Sequence, residues 1–228
     1  MRTEVLSIEA IFAGLWDRRC ILFGDTRDTR YNLAHQDSPA SPYKINVRCL
    51  PDNDFDLPFA HEIGRHLADV LLARKGRPQF HGLFGIPSAG TQIAAGFLRE
   101  WAQNLHYVAL EKTEDQVGRH FRLTDPDEYE YNKGCDFWGV DDLVTSTITK
   151  LAVVPALRRP VLGFSVLVDR SGGNAEELLS ERGIILSSSA TTASMLAYLV
   201  SADKISSDQA DEIIEKDTAF CRYMADNP

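Results

Sequence analysis

Long apolar stretches are missing from this 228-residue chain. No window approaches the roughly 18 uninterrupted apolar residues of a membrane-spanning helix, and no internal repeat, low-complexity tract or interdomain linker stands out. Cysteine is scarce: Cys20, Cys49, Cys135 and Cys221 lie at least 29 positions apart without a CxxC pair, which argues against a zinc site and a disulfide framework. Basic residues are outnumbered, 24 Lys and Arg against 33 Asp and Glu, and a net charge of −9 lacks the positive field that nonspecific binding to nucleic acid or an anionic membrane requires. An anionic ligand would need a locally basic site. Met1 to Ala13 mix Arg2, Glu4 and Glu9 with apolar side chains, unlike a secretory leader, so a cytoplasmic protein is expected.

Apolar residues make up 44% of the chain, enough for one core. The whole of 1–228 is expected to form a single domain, with an N-terminal helix and small β element in 1–56, an α/β core in 57–200 and a C-terminal helix in 201–228. Val5, Ile8, Ile11, Phe12 and Leu15 recur at the spacing of an amphipathic helix, and strands are predicted at 20–23 and 43–50. Phe59, Ile63, Leu67, Val70 and Leu71 predict a helix that Pro58 opens and Gly76 closes. Short apolar runs at 82–86, 107–110, 137–140 and 161–168 alternate with helical patterns at 92–104 and 148–157. That alternation predicts a mostly parallel sheet flanked by helices. A helix at 175–181, a strand at 184–186 and a helix at 192–199 follow, and Ser206 with Gln209 predicts a capping box on a last helix to about Met224. Residues 111–134 show no clear periodicity, and a structureless connection of that length after a strand suggests a flap over a ligand crevice.

Three strand ends carry the chemistry. In Phe137-Trp138-Gly139-Val140-Asp141-Asp142-Leu143-Val144-Thr145-Ser146-Thr147 a strand closes on two acids, followed by hydroxyl residues before a helix. Such acids can hold ribose hydroxyls or Mg²⁺ waters, and a hydroxyl-rich turn at a helix N-terminus suits a phosphate. An Asp N-cap with a polar turn is the plainer alternative. In Phe84-Gly85-Ile86-Pro87-Ser88-Ala89-Gly90-Thr91 small residues would let backbone N–H groups approach an anion. In Leu167-Val168-Asp169-Arg170-Ser171-Gly172-Gly173 the arginine could grip a carboxylate or a heterocycle, or form a surface ion pair. Other candidates are weaker. His61 and His66 stand five apart, off a common helix face, so a solvated face is expected. Ser88 lacks GxSxG spacing, and 125–130 is expected to be a solvated acidic stretch.

These three segments, with Ser41-Pro42-Tyr43-Lys44-Ile45-Asn46, resemble the orotate phosphoribosyltransferase family in the same chain order, over roughly residues 1–200. The resemblance implies a type I phosphoribosyltransferase fold with a small N-terminal hood. It also implies Mg²⁺-dependent transfer of phosphoribose from phosphoribosyl pyrophosphate to orotate or a related pyrimidine base, releasing pyrophosphate, by a homodimer. By resemblance, Asp141 and Asp142 face the ribose and metal. Asp141, Asp142, Thr145, Ser146, Thr147 and Thr149 form the phosphoribosyl motif, and Ser88, Ala89 and Gly90 the pyrophosphate loop. Tyr43 and Lys44 lie on the hood, and Arg170 contacts the base.

Departures accompany the matches. The family usually has two glycines where Thr147 and Ile148 stand, and β-branched residues do not easily take the backbone angles glycine allows. Ala89 replaces a usual lysine, and in the flexible loop Lys112 matches while Asp115 and Val117 replace basic residues. Arg119, His120 and Arg122 follow closely and are the candidates to supply the missing charge. With Asp142, Lys112, Arg119 and His120 make up the expected catalytic set. Three readings follow: a phosphoribosyltransferase with rearranged cations, a related fold acting on another base, and a degenerate nucleotide-binding or regulatory module.

Overall fold

Short β-branched and aromatic segments build a sheet, and the amphipathic helices between them cover its two faces. A computed structural model describes residues 4–24, 41–45, 47, 57–87, 89–101, 105–115, 118–125 and 134–226. In chain order the described elements are α1 (Ile8–Asp17), β1 (Ile21–Phe23), β2 (Tyr43–Ile45), α2 (Leu57–Lys75), β3 (Gly82–Gly85), α3 (Ala89–Trp101), β4 (His106–Val108), β5 (Leu110–Asp115) and β6 (Gly118–Leu123). Then follow β7 (Phe137–Val144), α4 (Ile148–Leu157), β8 (Val161–Asp169), α5 (Asn174–Ser180), β9 (Ile185–Thr191), α6 (Thr192–Ser201) and α7 (Ser207–Asp226).

The main sheet has the order β4-β3-β7-β8-β9, and every neighbouring pair is parallel. All five carboxyl ends therefore open on one edge. The pleat sorts the side chains. Trp138 and Leu167 pack on one face with Phe12 of α1, Ile63 of α2, Phe97 of α3 and Met195 of α6. Phe137, Phe164 and Val166 pack on the other with Val153 and Leu157 of α4 and Leu179 of α5. Helices α2 and α3 touch backbone to backbone, because a Cβ placed on Gly64 would lie 1.9 Å from the carbonyl oxygen of Ile93. β1 and β2 form the antiparallel hood, with Phe23 opposite Tyr43.

Several expectations hold and several need correction. The α/β class, the parallel sheet and helix 148–157 are as predicted. Both arms of the capping box are present: Ser206 N–H donates to Gln209 Oε1 at 2.9 Å, and Gln209 N–H to Ser206 Oγ at 3.2 Å. The described part of 111–134 is not structureless, since β5 and β6 pair as an antiparallel hairpin from Leu110↔Leu123 to Asp115↔Gly118, while 116–117 and 126–133 lie outside the described residues. Phe121 and Leu110 anchor that hairpin in the core beside α4, so burial there exceeds what its polar composition suggested. The strand predicted at 137–140 runs on to Val144 as β7, and β9 runs to Thr191 rather than 186. Of the second predicted strand, 46 and 48–50 lie outside the described residues.

The helix face carrying His66 is not solvated. Arg65, buried at 4% exposure, bridges Glu100 of α3 at 3.2 Å and Glu62 at 2.9 Å. His66 Nδ1 lies 2.9 Å from the Leu6 carbonyl oxygen, ahead of α1. Among the described residues no helix is long and apolar enough to cross a membrane.

Candidate functional site

The carboxyl edge of the sheet gathers the turns after β3, β7 and β8, which is where a crevice forms in open α/β sheets. After β3 the chain turns straight into α3. A Cβ on Gly90 would lie 2.2 Å from the Val140 carbonyl oxygen, so that glycine lets the start of α3 press onto β7. Ala89 and Gly90 are buried in that contact, while Ser88 lies outside the described residues. After β7 the turn reaches α4 through Thr145, Ser146 and Thr147. Thr147 adopts φ −77° and ψ −11°, ordinary helical angles, and its carbonyl accepts Leu151 N–H at 2.8 Å. The β-branched residue is thus unstrained, because the turn folds directly into the helix. Thr145, Ser146 and Thr149 are half-buried.

The two acids do not act as a pair. Because β7 continues to Val144, Asp141 and Asp142 are consecutive strand residues, and their carboxylates have different partners. Asp141, 7% exposed, lies on the face covered by α4. Its Oδ2 forms an ion pair with Lys150 of α4, and its Oδ1 accepts Asp142 N–H at 2.9 Å. Lys150 is 2% exposed and also donates to the Leu143 carbonyl at 2.8 Å. Asp142 is half-buried, with Oδ1 accepting Leu143 N–H at 2.8 Å. Mg²⁺ therefore does not fit as a joint ligand of the two carboxylates: the buried one already neutralises an ammonium. Among the described residues no cluster of three or more His, Cys, Asp or Glu side chains gathers to hold a metal.

Arg170, expected at a ligand or on the surface, is instead closed inside the chain. At 5% exposure, its Nε donates to Asp217 of α7 at 3.2 Å, and Nη2 pairs with the same carboxylate. Nη2 also reaches Ser41 Oγ at 2.9 Å, and Nη1 the Tyr43 carbonyl at 3.4 Å. The guanidinium stacks 4.2 Å from the centre of the Tyr43 ring, and Tyr43 is 0% exposed. The reading of Tyr43 and Arg170 as ligand-facing is corrected accordingly: the hood strand has closed over the arginine and used its donors. Thr192 Oγ1 donates to Asp217 Oδ2 at 2.9 Å, so the Tyr43 hydroxyl, 2.8 Å away, donates to Thr192. Burial pushes the Tyr43 phenol well above its ordinary range. Burial, then the nearby Asp217 charge, pushes the Cys221 thiol up to about 12. Lys44, opposite Leu22 on the hood, is half-buried.

The hairpin cations stand apart from this network. Lys112 and His120 are exposed, and Arg122 pairs across the hairpin with Glu111 at 2.9 Å, both partners well exposed. Arg119 pairs with Glu114 in the strand register, and its side chain lies outside the described residues, as does 117.

Two site residues escaped the sequence reading, and both left a signal. Lys150, Val153 and Leu157 share the buried face of α4 at 3- and 4-residue spacing, and Asp217 follows Ala210 and Ile213 on the buried face of α7. A charge in an apolar stripe marks a buried partner elsewhere in the fold.

No family model and no curated protein sequence matches the chain. Solved structures do. UMP synthase of Leishmania donovani is 22% identical with a TM-score of 0.66, over 90% of this chain and 41% of that one. The chain thus spans about two fifths of that protein's length. Orotate phosphoribosyltransferase from Aeropyrum pernix is 23% identical with a TM-score of 0.53, over 83% of this chain and 97% of that one. The Mycobacterium tuberculosis orotate phosphoribosyltransferase is 17% identical with a TM-score of 0.55, over 82% and 98%. The chain has the fold of the orotate phosphoribosyltransferases.

Proposed function

We propose that a chain with this fold transfers phosphoribose from phosphoribosyl pyrophosphate to a ring nitrogen of orotate or a related pyrimidine base, in pyrimidine nucleotide biosynthesis. The ring nitrogen's electron pair forms the new bond to the anomeric carbon, and pyrophosphate departs with the electrons of the broken C–O bond. The observation that carries the proposal is the meeting of the β3, β7 and β8 turns at one sheet edge, with Asp142 and the Thr145–Thr147 turn at the start of α4. Asp142 would accept from ribose hydroxyls, and the turn's hydroxyl and backbone donors would hold the 5′-phosphate. The leaving pyrophosphate needs cations. Lys112, Arg119 and His120 on the β5–β6 hairpin would supply them, in a homodimer where one hairpin reaches the neighbouring site. No step is given to a protein-held Mg²⁺, which the acids do not fit.

One observation favours a second reading, a nucleotide-binding or regulatory module without turnover. Asp141, Arg170 and Arg122 all have partners within the chain. Calorimetric titration with phosphoribosyl pyrophosphate followed by an orotate turnover assay separates the two. Binding with turnover supports the transferase, binding alone the module, and absence of binding defeats both. In a chain that turns over, replacing Arg119 and His120 together with Ala should lower kcat by at least about tenfold. Sedimentation should give about twice 25.5 kDa.

A further inference from the structure

Resting on the reading of this edge as a sugar-phosphate site, we propose that Lys150 is its resident cation: the ammonium occupies the place beside Asp141 that a divalent metal would need, and a phosphoribosyl ligand binds here without a protein-held metal ion.

Three independent features support this. The two acids are held separately, Asp141 by Lys150 and the Asp142 N–H, and Asp142 by the Leu143 N–H, so they are not preset to share a metal. Lys150 is buried, as is the carboxylate, and donates both to Asp141 and to the Leu143 carbonyl at 2.8 Å, so its charge is fixed by two acceptors at the end of β7. Its position in the helix is also costly without a partner. Lys150 stands in the first turn of α4, where the helix dipole is positive and disfavours a cation. Asp141 compensates that cost, and a divalent ion sharing the same buried carboxylate would sit against the ammonium with like charge.

The consequence is a change in local charge. Asp141, Asp142 and Lys150 together carry one net negative charge rather than two, beside a turn meant for phosphate. In a chain that lacks basic residues at 89, 115 and 117, this relieves the repulsion an anionic ligand would meet. Lys150 acts through Asp141 and is a positioning residue.

The test begins with Mg²⁺ alone, titrated calorimetrically into the full chain, with thermal unfolding at matched ionic strength. The expected result is no saturable binding and no shift in Tm in about 10 mM Mg²⁺, where a site of about 1 mM Kd would raise Tm by roughly 3–6 °C. Lys150→Met, which leaves Asp141 charged, should gain a Mg²⁺-dependent rise of that size, and Lys150→Arg should not. Asp141→Asn/Lys150→Met should show none. If Lys150→Met fails to fold, the double variant, with no unpaired buried charge, remains as the control. Saturable Mg²⁺ binding by the parent that disappears in the double variant would overturn the proposal, as would a folded Lys150→Met indifferent to Mg²⁺. Phosphoribosyl pyrophosphate should bind the parent within about threefold in EDTA and in Mg²⁺, and a loss beyond about tenfold in EDTA counts against it. Failure to bind under either condition defeats the proposed function instead, while the Mg²⁺ titration still decides the role of Lys150.

Discussion

Arg170 and Asp217, 47 positions apart, form a buried ion pair that ties the carboxyl end of β8 to the last helix. The arginine also holds Ser41 and the Tyr43 carbonyl, so one side chain joins hood, sheet and C-terminal helix. Two ions are costly to bury unless each satisfies the other, and here the hydroxyls of Thr192 and Ser41 complete the network.

Removing one partner should expose that cost. Asp217→Ala leaves a buried guanidinium without its carboxylate and should destabilise the chain by about 3–5 kcal/mol in urea unfolding. Asp217→Asn, which keeps an acceptor, should lose less. A loss below about 1 kcal/mol in the Ala variant would mean the pair is not buried in solution.

The two adjacent acids should respond in opposite ways. Asp142→Asn should weaken phosphoribosyl pyrophosphate binding at least about tenfold while leaving the unfolding midpoint nearly unchanged. Asp141→Asn strands the Lys150 ammonium and should mainly lower stability, by about 3 kcal/mol or more. Equal effects of the two substitutions on both measurements would contradict the different surroundings of the two acids.

The β5–β6 hairpin should be protected before any ligand binds. Its ladder pairs Leu110–Asp115 with Gly118–Leu123, and Phe121 anchors it beside α4. Hydrogen-bonded amides near Phe121 should exchange at least about a hundredfold more slowly than an unstructured chain. Rapid exchange throughout would restore the picture of an unanchored flap.

Stability should fall with acid through His66. Nδ1–H donates to the Leu6 carbonyl, so Nε2 is the unprotonated nitrogen of the neutral ring, buried without a partner among the described residues. Burial lowers the pKa below the ordinary 6.5. The unfolded chain then binds a proton at higher pH than the folded one. The stability from keeping the ring neutral is thus present above 6.5 and is lost as pH falls through the folded pKa. His66→Gln should flatten the dependence of urea midpoint on pH across that window, and an unchanged slope would assign the acid sensitivity to other groups.

The order of strands and helices was legible in the sequence because each element carries its own period: apolar runs for buried parallel strands, 3- and 4-residue spacing for α2, α4 and α7. The turns at the strand ends were legible too, since small and hydroxyl residues cluster there. What the sequence could not decide was where β7 stops. Its last four residues include two acids, and only pairing with β8 as far as Val144↔Asp169 holds them in a strand. Nor could spacing show that Lys150 meets Asp141, or that Asp217 meets Arg170. Both are contacts between elements whose separation along the chain says nothing of their distance in space. The polar hairpin was missed for the same reason: Phe121 finds its apolar surface on α4, not on its own neighbours. Local chemistry determined the elements and the edge where a ligand would sit, and tertiary packing decided which charges that edge keeps for itself.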